Sequence, residues 1–186
     1  MGGSLIFEEI KDVYTRYPIF NKTKYFVETG TYKGDTTMMA SEHFEHVYTM
    51  EIMKALYDES SKRASDSKVD NITFCLGDSV QILPQILPSI QDGSFFFIDA
   101  HQSGGDTGNN NKQRVPLYEE LDLILNSDIG PSVFIFNDLR FWEGENQEVW
   151  DWVHISKEKI ITKFENLDYN VIDSYSKNDR FYVITV

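Results

Sequence analysis

The sequence has little cysteine and no long apolar run. Its 186 residues contain one cysteine, Cys75, which lies inside the apolar run 72–76. A single cysteine cannot form an internal disulfide, which excludes a disulfide-stabilised secreted scaffold and fits a reducing, cytoplasmic setting. We interpret Cys75 as a small core residue rather than a nucleophile. No apolar run approaches the about 18 residues that a membrane-spanning helix needs, so we expect no membrane partner.

Positive charge is also scarce. The chain has 17 lysines and arginines against 30 aspartates and glutamates, and its formal net charge is −13 at pH 7. A surface this acidic repels a phosphate backbone, and no local cluster of basic residues offsets it. We therefore expect no nucleic-acid partner, and we favour ligands that are neutral or cationic.

The order of apolar segments predicts an α/β fold. The length is that of one domain, which we assign to residues 5–186, and the Gly-rich residues 1–4 are interpreted as a cloning scar or linker. Short apolar runs alternate with segments of helical periodicity, and the runs 170–175 and 180–186 predict a closing hairpin. We expect a Rossmann-like, doubly wound, mostly parallel seven-stranded sheet with helices on both faces and a C-terminal antiparallel hairpin strand.

The segment 25–37 reads as a strand, a glycine turn and a helix, an arrangement that holds nucleotide-like ligands. Its glycines, Gly30 and Gly34, do not form the dinucleotide pattern G-x-G-x-x-G. Asp35 places a negative charge where a pyrophosphate would bind the helix N-terminus. Glu51 follows Gly30 by 21 positions, the spacing of an acid that binds ribose hydroxyls. These features predict a cofactor with a ribose and without a phosphate.

Acidic residues follow four consecutive predicted strands. They are Glu28, Glu51, Asp78 and Asp99, and Asn137-Asp138 follows the fifth strand. The carboxyl ends of parallel strands share one edge of the sheet, so these side chains should converge on one cleft. Converging like charges need bound cations or hydroxyl donors, which favours a cationic ligand.

Four motifs make the chain resemble the class I S-adenosylmethionine-dependent methyltransferases. They are Glu28-Thr29-Gly30-Thr31-Tyr32-Lys33-Gly34, Glu51, Gly77-Asp78-Ser79 and Asp99-Ala100-His101, in the family's order and at fitting intervals. The resemblance covers about residues 20–186 and implies S-adenosylmethionine as cofactor and a hydroxyl as methyl acceptor. Tyr32 departs from the pattern, since the commonest version has a third glycine there, and it would narrow or reshape the methionine pocket.

The resemblance also implies roles for single residues. Glu28 and the Gly30 turn would face the methionine part of the cofactor, Glu51 its ribose, and Asp78 with Ser79 its adenine. The cofactor-binding residues implied in this way are Glu28, Thr29, Gly30, Thr31, Tyr32, Gly34, Thr36, Glu51, Ile52, Gly77, Asp78, Ser79 and Asp99.

A divalent metal is expected at the ends of strands four and five. Asp99, Asn137 and Asp138 offer hard oxygen ligands of the kind that Mg²⁺ or Mn²⁺ prefers. Metal-dependent O-methyltransferases use such a trio, and the ion lowers the pKa of the acceptor hydroxyl. With Asp99, His101 forms the predicted catalytic pair, because histidine titrates near pH ~6.5 and suits a general base. His101 could instead be a metal ligand, or a loop histidine whose hydrogen bonds are satisfied within the protein.

The pieces Asp-Ala-His-x-Ser-Gly-Gly and Asn-Asp resemble small methyltransferases of glycan biosynthesis, including domains attached to glycosyltransferases in large algal viruses. This resemblance implies a sugar hydroxyl as acceptor, such as that of rhamnose, and an association with glycosyltransferase domains in the cytoplasm, of the host cell if the chain is viral. Trp142, Trp150 and Trp152 could seat a sugar ring or pack as a lid, opposite a wall formed by the loop 102–114.

Three other interpretations remain open. A catechol-like small molecule could replace the sugar as acceptor. A non-catalytic cofactor-binding module would keep the fold without transferring a methyl group, which the intact Asp99, His101 and Asp138 disfavour. An arginase-like hydrolase with two Mn²⁺ ions is disfavoured because Ser103 stands where that motif has aspartate.

Overall fold

The computed structural model describes residues 3–90, 92–102, 107–108, 115–144 and 152–186. Within these ranges no helix is long and apolar enough to cross a membrane. The described ranges leave out Trp150, Ser103 and most of the predicted loop wall 102–114, including Gly104, Gly105 and Arg114.

Seven strands of the described chain form one sheet. They are β1 (Tyr25–Thr29), β2 (His46–Glu51), β3 (Ile72–Leu76), β4 (Ser94–Ile98), β5 (Ser132–Phe136), β6 (Val171–Lys177) and β7 (Arg180–Thr185). Their order across the sheet is β3-β2-β1-β4-β5-β7-β6. The first five strands are parallel, and β7 runs antiparallel between β5 and β6. The predicted Rossmann-like sheet with its closing hairpin is confirmed.

Helices cover both faces of this sheet. They are α1 (Phe7–Arg16), α2 (Asp35–Ser41), α3 (Lys54–Asp66), α4 (Ser79–Ile86), α5 (Leu117–Leu125), α6 (Leu139–Trp142) and α7 (Lys157–Asn166), with 3-10 turns at Pro18–Lys22 and Leu87–Ser89. Leu83, Leu121 and Phe164 bring α4, α5 and α7 into one hydrophobic cluster. Ile10 and Ala40 bring α1 and α2 into the cluster on the other face.

Strand β4 shows how the sequence produces two cores. Successive side chains of a strand point to opposite faces of its sheet. Phe95 and Phe97 accordingly belong to one cluster, and Phe96 and Ile98 to the other. All four side chains are buried, as expected of a central parallel strand covered by helices on both faces.

Cys75 lies at the edge of the sheet on β3. The strand order leaves β3 with one neighbour, β2. Cys75 is therefore only partly buried, although it packs against the hydrophobic core as a small apolar residue. Burial raises the pKa of its thiol, which keeps it in the unreactive protonated form.

Candidate active site

The turn after β1 is held between the two neighbouring strands. The backbone N–H groups of Gly30 and Thr31 both donate to the Met50 carbonyl of β2, each at 3.0 Å. On the other side, a Cβ atom at Gly30 would lie 2.8 Å from the Asp99 carbonyl oxygen, and Gly30 has φ +85°. A residue with a side chain would clash here and be strained, so the close approach of β1 and β4 requires glycine.

Tyr32 takes a left-handed backbone conformation where the resemblance expects a glycine. Its φ is 50°, and its N–H donates to Glu51 Oε2 at 2.8 Å. The other carboxylate oxygen of Glu51 accepts the N–H of Met53 at 2.8 Å. Burial raises the pKa of Glu51, and these backbone bonds oppose the rise. Each carboxylate oxygen has a further lone pair, so Glu51 can still accept a ribose hydroxyl.

Glu28 lies below the turn, and only 1% of it is exposed. Its carboxyl group accepts hydrogen bonds from the hydroxyls of Thr37 and of Thr49, the latter at 2.7 Å. Burial raises the pKa of Glu28 to about 8, although these two hydroxyls act in the opposite direction. The negative charge that the sequence pattern assigns to Glu28 is therefore largely neutralised by a proton at neutral pH.

Other predicted cofactor residues line the same edge of the sheet, and several already have protein partners. The Thr31 and Thr49 hydroxyls lie 2.6 Å apart, and the Thr36 hydroxyl accepts the N–H of Leu5 at 3.0 Å. Asp78 caps α4 by accepting the N–H of Val80 at 3.1 Å. Gly34, Ile52 and Gly77 occupy the turns after β1, β2 and β3, in that order.

Glu120 on α5 is a site residue that the sequence analysis missed. It is fully buried, and its Oε2 accepts a hydrogen bond from Thr29 Oγ1 at 3.3 Å. Its Oε1 accepts another from Ser79 Oγ. Burial raises the pKa of Glu120 to about 8, while these hydroxyls oppose the rise.

A sequence signal for Glu120 exists. The buried residues of α5 are Leu117, Glu120, Leu121, Ile124 and Leu125. Glu120 therefore occupies an apolar position of the helical repeat, where an acid needs a buried partner.

The ends of β4 and β5 bring three ionisable side chains together. Asp99, His101 and Asp138 each offer one ligand atom, and these atoms lie within 4.8 Å of one another. His101 Nδ1 lies 3.1 Å from the Asp99 carbonyl oxygen, and its Nε2 lies 2.9 Å from Asp138 Oδ2. Asn137 Nδ2 donates to Asp99 Oδ1 at 2.9 Å. The predicted metal ligands and the predicted base thus form one cluster.

The protonation of this cluster follows from its contacts. Both imidazole nitrogens of His101 face acceptors, which suits the imidazolium form with two N–H donors. Burial acts to lower the pKa of His101, but contacts with Asp138 and Asp99 outweigh it and raise the pKa. Burial raises the pKa of Asp99 to about 6, although His101 opposes this. Burial acts to raise the pKa of Asp138, but contacts with His101 and Arg140 together bring that pKa below its usual value.

Arg140 pairs with the surplus acids of the site. Its Nη1 lies 2.5 Å from Asp138 Oδ1 and also contacts Asp179. Its guanidinium carbon lies 4.2 Å from the centre of the Phe141 ring. Arg140 therefore balances part of the negative charge at the rim of the cluster.

The cluster fits a divalent metal ion. Asn137 Oδ1 is buried and has no hydrogen-bond partner in the structure as described. Together with the carboxylates of Asp99 and Asp138 it supplies the oxygen ligands that Mg²⁺ and Mn²⁺ accept, and His101 adds a nitrogen ligand.

The two described tryptophans of the Trp-rich segment pack into the core. Trp142 Nε1 donates to the Asn137 carbonyl at 3.1 Å, and its ring lies edge-on to Phe136. Trp152 is 2% exposed, stacks on Phe141 at a ring distance of 6.0 Å and lies edge-on to His101 at 5.1 Å. Packing against the sheet edge accounts for these contacts.

Comparison with known proteins gives one result for the sequence and another for the fold. No model of a protein family matches this sequence. No curated protein sequence matches it significantly either. The fold, by contrast, is similar to solved structures across almost the whole chain.

Three of these structures show the similarity, and each has a methyltransferase name. A SAM-dependent methyltransferase from Aquifex aeolicus has a TM-score of 0.59 and 12% identity, covering 94% of this chain and 88% of its own. A protein from Klebsiella pneumoniae assigned as an O-methyltransferase has a TM-score of 0.63 and 17% identity, covering 98% and 81%. A protein from Streptococcus mutans assigned as a methyltransferase, in complex with SAH, has a TM-score of 0.57 and 11% identity, covering 99% of both chains. This chain has the Rossmann-like fold of SAM-dependent methyltransferases.

Proposed function

We propose that this chain is an S-adenosylmethionine-dependent O-methyltransferase. The observation that carries the proposal is the position of the Asp99, His101 and Asp138 cluster beside the glycine turn. The carbonyl of Asp99 would lie 2.8 Å from a Cβ atom at Gly30, so the two parts of the site are adjacent. A cofactor bound at the turn would present its methyl group to an acceptor held at the cluster.

In this proposal the cofactor lies along the carboxyl ends of β1, β2 and β3. The turn from Thr29 to Gly34, with Glu28 and Thr36 beneath it, binds the methionine part. Glu51 and Ile52 bind the ribose, and the turn from Gly77 to Ser79 binds the adenine. The acidic character of the chain, with a net charge of −13, favours a cationic sulfonium over a phosphate-bearing cofactor.

The reaction is an in-line displacement at the methyl carbon. A lone pair of the acceptor hydroxyl oxygen forms the new O–C bond while the C–S bond breaks, and the sulfonium leaves as a neutral thioether. The hydroxyl proton passes to His101, which must first lose the proton that its contacts with Asp99 and Asp138 favour. Only the neutral fraction of His101 therefore acts as the base. Asp99 and Asp138 hold the imidazole in place and stabilise the imidazolium that results. Alignment of oxygen, methyl carbon and sulfur supplies the remaining rate enhancement.

A divalent metal ion belongs to the proposal. Asp99, Asn137 and Asp138 would hold Mg²⁺ or Mn²⁺, and the unpartnered Oδ1 of Asn137 supports this assignment. When bound, the ion lowers the pKa of the acceptor hydroxyl. Arg140 contacts the same carboxyl group of Asp138, so Arg140 and the ion compete for it.

We further propose a sugar hydroxyl as acceptor, rhamnose in a glycan being the first candidate, and an association with glycosyltransferase domains. The resemblance of the Asp99 and Asn137 segments to methyltransferases of glycan biosynthesis supports this choice. Neither a nucleic acid nor a membrane is part of the proposal, given the acidic charge of the chain. A catechol-like hydroxyl is the second candidate acceptor.

Calorimetry and a methyl-transfer assay test the proposal. We expect binding of S-adenosylmethionine, and methylation of rhamnosides or catechols that EDTA suppresses and Mg²⁺ or Mn²⁺ restores. The absence of binding at millimolar cofactor would refute the proposed function. Binding without turnover of any acceptor would instead indicate a non-catalytic cofactor-binding module.

A further inference from the structure

Within the described residues, Trp152 carries a buried hydrogen-bond donor without a partner. The residue is 2% exposed, and its Nε1 has no acceptor in the described chain. Trp142, ten positions earlier, provides the comparison, because its indole N–H donates to the Asn137 carbonyl at 3.1 Å. Buried tryptophans usually satisfy this N–H, so the difference between the two residues needs an explanation.

The ring of Trp152 is fixed by its neighbours. It stacks on Phe141 with an angle of 23° between the ring planes, and its centroid lies 5.1 Å from that of His101. Phe141 in turn lies under the guanidinium of Arg140. A donor on a ring held in this way loses little conformational entropy when it binds a ligand.

The ring that carries the unpartnered N–H lies next to the candidate base. The indole nitrogen belongs to a ring that contacts His101, and His101 Nε2 lies 2.9 Å from Asp138 Oδ2. Three further polar atoms of this cluster have no hydrogen-bond partner among the described residues, namely His101 Nε2, Asp138 Oδ1 and Asn137 Oδ1. The first two have ion-pair contacts, with Asp138 and Arg140, and the proposed metal ion would use Asn137 Oδ1. No metal can satisfy the Trp152 N–H, because it is a donor. It needs an oxygen acceptor from the ligand.

We propose that the Trp152 indole N–H recognises a second oxygen of the acceptor, on the ring carbon next to the hydroxyl that is methylated. This inference rests on the proposed function, since it assumes that the reacting hydroxyl lies at His101. Two oxygens on adjacent ring carbons are close enough to engage His101 and the neighbouring Trp152 together. The site accordingly selects a vicinal diol, and the edge of the indole, not its face, makes the contact.

This chemistry is shared by the two candidate acceptors. A rhamnoside and catechol both present neighbouring oxygens on a ring, whereas phenol and a pyranoside with one isolated hydroxyl do not. A buried donor that stays unpaired costs the complex a hydrogen bond. The acceptor without a second oxygen should therefore bind about 10-fold more weakly.

Nuclear magnetic resonance tests the contact without turnover. The protein with ¹⁵N-labelled tryptophan gives three indole signals, one for each tryptophan, and Trp152→Phe identifies the signal of Trp152. In the presence of Mg²⁺ and S-adenosylhomocysteine, methyl rhamnoside or catechol should shift that signal, and their single-hydroxyl analogues should not. The diol that shifts the Trp152 signal at the lower concentration identifies the acceptor class. If neither diol shifts the signal, the inference is overturned.

Kinetics separate this inference from the proposed function. Trp152→Phe keeps an aromatic ring and removes the N–H, so its KM for the diol should rise about 10-fold while its KM for the single-hydroxyl analogue stays the same. Tyr169→Phe is the matched control, because it also removes one aromatic donor, which bonds Leu125 at the far end of α5. If the KM of Trp152→Phe rises equally for both acceptors, or does not rise, the role of Trp152 is overturned. The proposed methyl transfer is unaffected by that result. Absence of transfer by the unaltered protein refutes the function, while the spectra still test the contact.

Discussion

The Thr29 hydroxyl donates to Glu120 Oε2 at 3.3 Å and is itself the acceptor for two backbone groups of the neighbouring strand end. The N–H of Asp99 lies 3.1 Å from Thr29 Oγ1, and that of Ala100 lies 3.3 Å from it. Glu120 also holds Ser79 of the proposed adenine turn. One buried carboxyl group thus connects the ends of β1 and β4 with the start of α4.

Substitution of Glu120 should reveal this connection. Glu120→Gln keeps both hydrogen-bonding positions and the shape of the side chain, so we expect near-normal stability and cofactor affinity. Glu120→Leu leaves the Thr29 and Ser79 hydroxyls without their partner, which costs about 1–3 kcal/mol of unfolding free energy for each. It should also raise the dissociation constant of S-adenosylmethionine. Urea unfolding and calorimetry measure both effects, and equal behaviour of the two variants would contradict this role.

Stability should fall as the pH rises. Glu28 and Glu120 each have a pKa of about 8 in the folded protein, against a usual value of 4.5. The folded state therefore binds more protons than the unfolded state between these values, and the stabilisation present below pH 4.5 is lost as the pH passes through 8. Thermal unfolding at pH 5.5, 7 and 8.5 measures the trend as a fall in melting temperature.

The variant Glu28→Gln provides the control for this trend. A glutamine cannot ionise, so the decline in melting temperature between pH 5.5 and pH 8.5 should become shallower. A decline as steep as that of the unaltered protein would assign the effect to other groups.

Gly30→Ala should disrupt the site. The new Cβ atom would lie 2.8 Å from the Asp99 carbonyl oxygen, and the φ of +85° would strain any residue with a side chain. We expect a loss of about 1–3 kcal/mol of stability and a strong loss of cofactor binding. Gly3→Ala is the matched control, since a Cβ atom there meets nothing within 4 Å. Equal cofactor affinity of the two variants would refute the requirement for glycine.

Asp138→Ala should separate the chemistry from cofactor binding. Asp138 contacts His101 and Arg140 at the end of β5, and strand β4 lies between β5 and the strand β1 that precedes the glycine turn. We expect a fall in kcat of about 100-fold or more, loss of the EDTA-sensitive activity and an almost unchanged affinity for S-adenosylmethionine. Asp179→Asn is the control, because it removes the other carboxylate partner of Arg140. Unchanged turnover of the Asp138 variant would exclude its role in metal binding.

Local patterns predicted most of the fold. The five-residue apolar runs at β3, β4 and β5 and the Ser156 cap of α7 depend on side-chain periodicity and hydrogen bonds within a few residues, so the sequence is sufficient to identify them. The predicted run 72–76 coincides with β3, and the predicted hairpin runs 170–175 and 180–186 differ from β6 and β7 by at most two residues at either end. The position of Asp99 beside Asn137 also agrees with the sheet order that the family resemblance implies, in which strands four and five are neighbours and end at one edge of the sheet.

The state and partners of the site residues depend on contacts between distant parts of the chain. Glu120 meets Thr29 across 91 positions, so its role could not be derived from either segment alone. The sequence analysis places Glu28 as a charged acid in a ligand cleft, yet Thr37 and Thr49 enclose it in the fold. The sequence by itself determined which side chains reach the edge of the sheet. Only the tertiary structure decided which of them are charged, bonded or unpaired, because burial and packing set those properties.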